Sequence, residues 1–356
     1  MNEASLRALL TLRALPGFGD VRRHALLKRH RTPRAALAAA LATQPRMSLD
    51  EAERAADAAL GATAAAGAHL IPLRSPDYPP RLRRLHRVPT ILWARGDIEL
   101  LHRPAVAIVG TRRNTDYGAE AARMIAGDLA RAGIVIVSGL AHGIDRFAHE
   151  AALDAGGTTI AVIGCGIDIA YPRRHTRLQE RIACDGLVLS EFMPGEPALQ
   201  HHFPRRNRII AALSLGVVVV EAPLKSGALL TANHAMELNR DVLAVPGPIG
   251  RETSAGTNDL IRDGAGLVTD AADVLEALRL VPKPSASTRH TDAPIVADPL
   301  DPVQAMIVHA LDSEALHVDE IARHAGIEPA TAIAALLDLE LAGRVRQTSG
   351  LRFARR

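Results

Sequence analysis

Between His202 and Ile210 the chain reads His-Phe-Pro-Arg-Arg-Asn-Arg-Ile-Ile, with Arg205, Arg206 and Arg208 packed into four positions behind Phe203 and Pro204. Proline suits the first turn of a helix, and a helix start offers unpaired backbone N–H groups to an anion. Guanidinium groups fork onto phosphate oxygens, and an aromatic face can carry a stacked base. The chemistry implied is the grip of a polyanion. Gly110-Thr111-Arg112 follows an apolar run and forms a turn whose amides can cup a phosphate while Arg112 forks onto it. Lys225-Ser226-Gly227 opens another helix at the same edge. Tyr171-Pro172-Arg173-Arg174 sets a second aromatic against arginines. Aromatic residues are 3% of the chain, so two of them beside arginine pairs exceed chance, although either could equally plug the core.

Catalytic patterns are poorly represented. Gly110-Thr111-Arg112-Arg113-Asn114 lacks the second and third glycines of a dinucleotide fingerprint and is not a Walker loop, and Gly164-Cys165-Gly166-Ile167-Asp168-Ile169 fails as a fingerprint at Ile169. Asp145 and Asp168 each end a Gly-Ile-Asp tripeptide at a turn, where an acid characteristically holds backbone N–H groups. Glu191 and Glu221 sit at strand ends, placed either for acid and base work or for positioning arginines. His142 and His149 are seven residues apart, read as one helix face, and His201-His202 adjoins the arginine run; none has a carboxylate at ligand spacing. With Cys165 and Cys184 the only cysteines, neither a disulfide framework nor a cysteine zinc site is indicated. We expect no catalytic residue, metal or cofactor.

These residues need a scaffold. From Ala105 the pattern is apolar strand, glycine turn, helix, repeated, with strands expected at 105–109, 134–137, 159–163, 187–189, 217–220, 242–245 and 266–269. Near-continuous apolar strands are covered on both faces, which gives an α/β, doubly wound, mostly parallel sheet that binds ligands at the carboxyl ends of its strands. Residues 1–69 are alanine-rich with helical spacing and breaks at Pro16-Gly17-Phe18-Gly19, Pro33 and Pro45, a small all-helical domain. There Lys28, Arg29, Arg31 and Arg34 form a basic face, solvated or in contact with DNA. Residues 70–280 form the sheet domain, with the run Ile91-Leu92-Trp93 expected as an edge strand. Residues 281–301 read as a linker, and 302–356 as three helices and a hairpin, a winged-helix module. The would-be recognition helix, opened by Glu328-Pro329-Ala330-Thr331, carries Asp338 and Glu340 and little base, so a protein-contact role stands beside DNA reading.

The bulk numbers agree. The 356 residues allow two or three domains, and 48% apolar content supplies their cores. A net charge of +3 is mildly basic and comes almost wholly from arginine. No stretch approaches ~18 uninterrupted apolar residues, so we expect a cytoplasmic chain without membrane contact.

In combination and order, Val109-Gly110-Thr111-Arg112, Ser138-Gly139-Leu140-Ala141-His142-Gly143-Ile144-Asp145, Gly164-Cys165-Gly166-Ile167-Asp168 with Tyr171-Pro172, Phe203 to Ile210, Ser226 to Ala232 and Val245-Pro246-Gly247 resemble the DNA-processing protein A (DprA/Smf) family. The resemblance covers about Pro72 to Leu280. It implies a Rossmann-like domain that binds single-stranded DNA without catalysis, flanked by a sterile-alpha-motif-like or helix-hairpin-helix-like domain in front and a winged helix behind. It further implies a homodimer that protects incoming transforming DNA, helps displace single-strand binding protein and loads the RecA recombinase. Phosphate-binding roles fall on Gly110, Thr111 and Arg112, a positive pocket on Arg205, Arg206 and Arg208 with Arg173 and Arg174, and a helix-opening turn on Ser226 and Gly227. Asn239-Arg240 departs from a more common Gly-Arg pair, and asparagine tolerates the left-handed turn expected there. The alternatives are a phosphoribohydrolase-like enzyme on a related fold, whose Pro-Gly-Gly-x-Gly-Thr turn and following glutamate are missing, and a duplex-binding transcription regulator.

Overall fold

The computed structural model describes residues 2–43, 49–280, 301–311, 316–341, 344–348 and 352–355. The chain divides into two compact units, residues 1–285 and 286–356. In the first unit the described residues place nine strands in one sheet: β1 (His69–Pro72), β2 (Ile91–Gly96), β3 (Ala105–Val109), β4 (Val135–Ser138), β5 (Thr159–Gly166), β6 (Leu187–Phe192), β7 (Gly216–Val219), β8 (Asp241–Ala244) and β9 (Gly266–Leu267). Their order is β1-β2-β6-β5-β4-β3-β7-β8-β9, parallel from β6 to β9. β2 pairs antiparallel with both β1 and β6. The run Ile91-Leu92-Trp93 therefore lies inside the sheet, and β1 takes the edge, because residues 69–72 supply one more extended segment to pair with it.

Helices α1 (Glu3–Ala14), α2 (Asp20–Arg29), α3 (Pro33–Thr43) and α4 (Leu49–Ala65) precede the sheet. Then come α5 (Asp116–Arg131), α6 (Ile144–Asp154), α7 (Thr176–Asp185), α8 (His202–Leu213), α9 (Gly227–Glu237), α10 (Glu252–Arg262) and α11 (Ala271–Ala277). The period-two alternation of β3 shows how both faces are used. Ala105, Ala107 and Val109 share a core with α8 and α9, whereas Val106 and Ile108 pack with α5, α6 and α11. Burying such a Val or Ile contributes about 1.5–3 kcal/mol.

On the second face, over β2, β6 and β5, the cover comes from the front of the chain. Leu9, Leu10, Leu12, Leu15 and Phe18 share a core with Ile91, Trp93, Ala161, Ile163 and Val188. Trp93 is fully buried there, donates from Nε1 to Thr63 Oγ1 at 3.0 Å and lies beneath the Arg13 guanidinium. Pro45 lies outside the described residues.

The second unit holds α12 (Pro302–Ala310), α13 (Val318–Ala325), α14 (Pro329–Leu341) and strands β10 (Leu316–His317), β11 (Val345–Thr348) and β12 (Arg352–Arg355), ordered β10-β12-β11. This is three helices with a wing, with a two-residue strand added to the expected hairpin. Asp301 belongs to it as the N-cap of α12. Residues 281–300 of the expected linker 281–301, and the hairpin positions Gly343, Gly350 and Leu351, lie outside the described residues. Among the described residues no helix is long and apolar enough to cross a membrane.

Candidate nucleic-acid interface

In sequence order the sheet grows from β3 to β6 on one side and then resumes with β7 on the other side of β3. Ligands of doubly wound folds bind at such a reversal, outside the carboxyl ends of the strands. Here a cleft of about 760 Å³ opens at that place, lined by Gly110, Thr111, Arg112, Arg113, Phe203, Arg206, Asn207, Lys225, Ser226 and Gly227 among others.

Its first wall is the turn after β3. Thr111 N donates to Glu221 O at 2.7 Å, Ile144 N donates to Thr111 O at 3.3 Å and Arg113 N donates to Thr111 Oγ1 at 3.2 Å. Gly110 is required there because a Cβ would meet Ile144 and the Glu221 carbonyl. The turn is thus pinned while Arg112 and Arg113 extend into solvent. Glu221 itself is buried and accepts from Thr115 N and Thr115 Oγ1, at 2.9 and 2.7 Å, at the start of α5. Its carboxylate is occupied with structure.

The second wall is α8. The Phe203 ring lies against Gly164, where any Cβ would sit 3.1 Å from it. The Arg112 guanidinium stands 5.0 Å over the Phe203 centroid, and the Tyr171 ring, 41% exposed, lies 5.6 Å from it. A cation and two aromatic faces therefore meet at one rim. Arg206 reaches across the cleft floor and donates from Nη1 to the Val162 carbonyl. Burial lowers its guanidinium to about 10, partly countered by Asp145, so it keeps its charge at neutral pH. Gly139 leaves room for it, since a Cβ there would stand 2.6 Å from Nη2.

Asp145 explains the turn that holds Arg206. Its Oδ2 accepts from Gly139 N at 3.1 Å and Ala141 N at 3.3 Å, stabilising a turn in which Leu140 takes φ +55°. A non-glycine residue in that region costs about 1–2 kcal/mol, so the turn needs such support. Burial raises the Asp145 pKa, with Arg206 opposing the shift. Asp168 likewise accepts from Gly195 N at 2.9 Å.

The third wall is the start of α9. Ser226 is its N-cap, accepting from Ala228 N at 3.2 Å, and Asn207 Nδ2 donates to Gly227 O at 3.1 Å, tying α8 to α9. Lys225 is exposed at the mouth.

Two members of the arginine run are elsewhere. Arg205 pairs with Asp20 at 2.7 Å and Glu191 at 3.2 Å, and Arg208, buried, pairs with Glu191. Neither lines the cleft, which corrects their placement in one pocket with Arg206. The reason is helical geometry. At about 100° per residue, 205 and 208 are about 60° apart, while 206 is turned about 100° from one and 160° from the other, onto the side of Phe203, Asn207 and Ile210. Arg173 and Arg174 are exposed in a 3-10 turn and do not line the cleft either, although Arg174 is near enough to help, after burial and His175, to lower the His142 pKa. His142 precedes α6 instead of sharing a helix face with His149, and stacks edge-on against His175 at 4.7 Å. Among the described residues no group of three metal-ligating side chains is found.

A model of the family described as DNA recombination-mediator protein A matches residues 69–279. The chain belongs to this family. A second model, the DprA winged helix domain, matches residues 291–350. Protein Smf of Escherichia coli is 42% identical over 285 residues, 79% of this chain and 76% of that protein. The DNA processing protein DprA of Streptococcus pneumoniae is 50% identical over 198 residues, 56% of this chain and 70% of its relative. Among solved structures, the X-ray structure of that pneumococcal protein superposes with a TM-score of 0.61 at 38% identity, covering 76% of this chain and 92% of the other. DNA processing protein A of Helicobacter pylori, whose structure was described for its single-stranded DNA binding mode, superposes with a TM-score of 0.54 at 35% identity, covering 59% and 96%.

Tyr171, singled out in the sequence as an aromatic set against arginines, lines this cleft, and so do Gln200, Asn207 and Asp145, to which sequence reasoning gave no binding role. Asn207 could have been found from its position one residue past Arg206, on the helix side that carries Phe203. Gln200 sits in a loop between β6 and α8 and left no pattern to follow.

Proposed function

We propose that this protein is a non-catalytic mediator that binds single-stranded DNA in the cleft between the turn after β3 and the starts of α8 and α9. The supporting observation is the meeting of Arg112, Phe203 and Tyr171 at the rim above the buried Arg206. Bases stacked on aromatic faces contribute roughly 1–3 kcal/mol each and must be unpaired to do so, which favours single strands. Gly110, Thr111, Arg112, Lys225, Ser226 and Gly227 would hold phosphates, Arg206 would supply charge from below, and Phe203 would stack. Arg173 and Arg174 would extend the positive track beyond Tyr171. Arg205 and Arg208 would serve the site indirectly.

The reading extends to cytoplasmic protection of incoming transforming DNA, loading of RecA and displacement of single-strand binding protein by a homodimer. Residues 1–69, 70–280 and 302–356 would be its helical, DNA-binding and winged-helix domains, joined to the last by 281–301. Non-catalytic action is supported by the commitment of Glu191 and Glu221 to structural partners. The duplex-reading alternative is disfavoured because α14 contains no Lys or Arg and exposes Ile333 and Leu337. The test is fluorescence anisotropy with labelled oligo-dT and a matched duplex over a salt series. Tight, salt-sensitive preference for the single strand is expected, and equal affinity for the duplex would overturn the reading.

A further inference from the structure

Beneath the outer side of α8 lies a cluster of charge that the cleft does not use. Asp20, the first residue of α2, pairs with Arg205 and with Arg23. Glu191, at the end of β6 and 1% exposed, takes both Arg205 and Arg208. Arg13 of α1 donates to the Glu191 carbonyl at 2.7 Å and pairs with Glu196 at 3.3 Å, and Glu196 in turn accepts from Met193 N at 2.8 Å. Arg23 closes the cluster by donating to the carbonyls of Arg13 and Phe18. Arg13, Arg23, Arg205 and Arg208 thus face Asp20, Glu191 and Glu196.

Such a cluster is a costly way to gain stability. Burying ions forfeits hydration, and an apolar replacement of equal volume is often as stable. Here Glu191 Oε1, Arg205 Nε, and Arg208 Nε and Nη1 even lack hydrogen-bond partners. Directionality is what ionic contacts add. Arg205 and Arg208 are three apart on α8, so two carboxylates fix both the rotation and the height of that helix, and with them the position of Phe203 and Arg206 on its other side.

We propose that Asp20 of α2 and Glu191 of β6 are positioning residues that hold α8 in its DNA-binding register from the side opposite the cleft, although neither residue lines the cleft. The inference rests on single-strand binding in that cleft. It makes a prediction opposite in sign to simple electrostatics. Neutralising an acid adds positive potential and frees Arg205 for phosphate, which alone would strengthen binding to a polyanion. Positioning requires the reverse.

The experiment measures oligo-dT affinity of the native full chain, Asp20→Asn and Glu191→Gln, with the emission of Trp93, the single tryptophan, reporting that the helices remain docked. Native emission with the dissociation constant raised about ten-fold, the equivalent of one weakened stacking contact, is expected for both variants. Affinity equal to or above that of the native protein would overturn the proposal. Failure of the native protein itself to bind would instead overturn the cleft reading. Should the variants not fold, hydrogen exchange on the native protein decides. Coupling is reciprocal, so oligo-dT must slow exchange of the hydrogen-bonded amides of α2 from Arg23 onward, and unchanged exchange there would overturn the proposal.

Discussion

Arg112→Ala separates binding from stability. The side chain is exposed, and its contact in the fold is the Phe203 ring at 5.0 Å. Losing an exposed cation–π contact costs about 0.5–1 kcal/mol, so the melting temperature should barely move. A hydrogen bond to a charged group contributes about 1.5–3 kcal/mol, which at 1.4 kcal/mol per decade is roughly a ten- to hundred-fold loss of oligo-dT affinity. One phosphate contact fewer should also flatten the log–log salt dependence by about 0.7. Arg206→Ala differs because Arg206 is buried. Its removal strips the donor from the Val162 carbonyl and leaves the buried Asp145 without the cation that opposes its raised pKa. Breaking a buried charge arrangement costs about 3–5 kcal/mol, so this variant should lose stability together with affinity. Anisotropy over a salt series and thermal denaturation measure both quantities. An Arg112→Ala variant with native affinity and native salt slope would refute the assignment of the turn after β3.

Phe203→Ala should weaken oligo-dT binding by roughly 1–3 kcal/mol while leaving the salt slope intact, because stacking releases no counterions; a changed slope would argue against a stacking role. Gly118→Ala should destabilise the fold by about 1–3 kcal/mol in urea denaturation, since its Cβ would press on the Glu221 carboxylate that holds the start of α5. Native stability would show that Glu221 can yield. His149 is fully buried and its Nδ1–H faces Thr159 Oγ1 at 2.7 Å, that hydroxyl donating onward to Ile136 O. Burial, reinforced by Arg206 and His175, holds its pKa down to about 3. The folded state therefore favours the neutral ring. The stability this gives is complete above the free value of 6.5 and is lost as pH falls towards 3, by up to ~1.4 kcal/mol per pH unit. Asp145, raised by burial, acts in the opposite sense. Urea midpoints should fall from pH 6.5 to 4 in the native protein and fall less in His149→Asn; parallel curves would exclude His149 as the cause.

The sheet was legible because its strands are buried on both faces, so apolar runs and the glycine turns after them mark strand and site edge together. Asn239, at φ +52°, takes the left-handed turn that its residue type permits. The docking of the N-terminal helices was not legible, since α1 meets Trp93 and Glu191 across ~80–180 residues of chain and no local pattern encodes the pairing. β10 escaped because two residues carry no period. The arginine run was read as one feature, and the helix divides it into a cleft residue and two residues that anchor the opposite side.

The most direct test of the cleft is photocrosslinking of the native chain to an oligo-dT carrying 5-iodouracil, followed by peptide mapping. Adducts on Tyr171 and Phe203, the tilted aromatic pair at the rim, are predicted. Adducts confined to α1–α4 or α12–α14 would contradict the account and place the strand elsewhere.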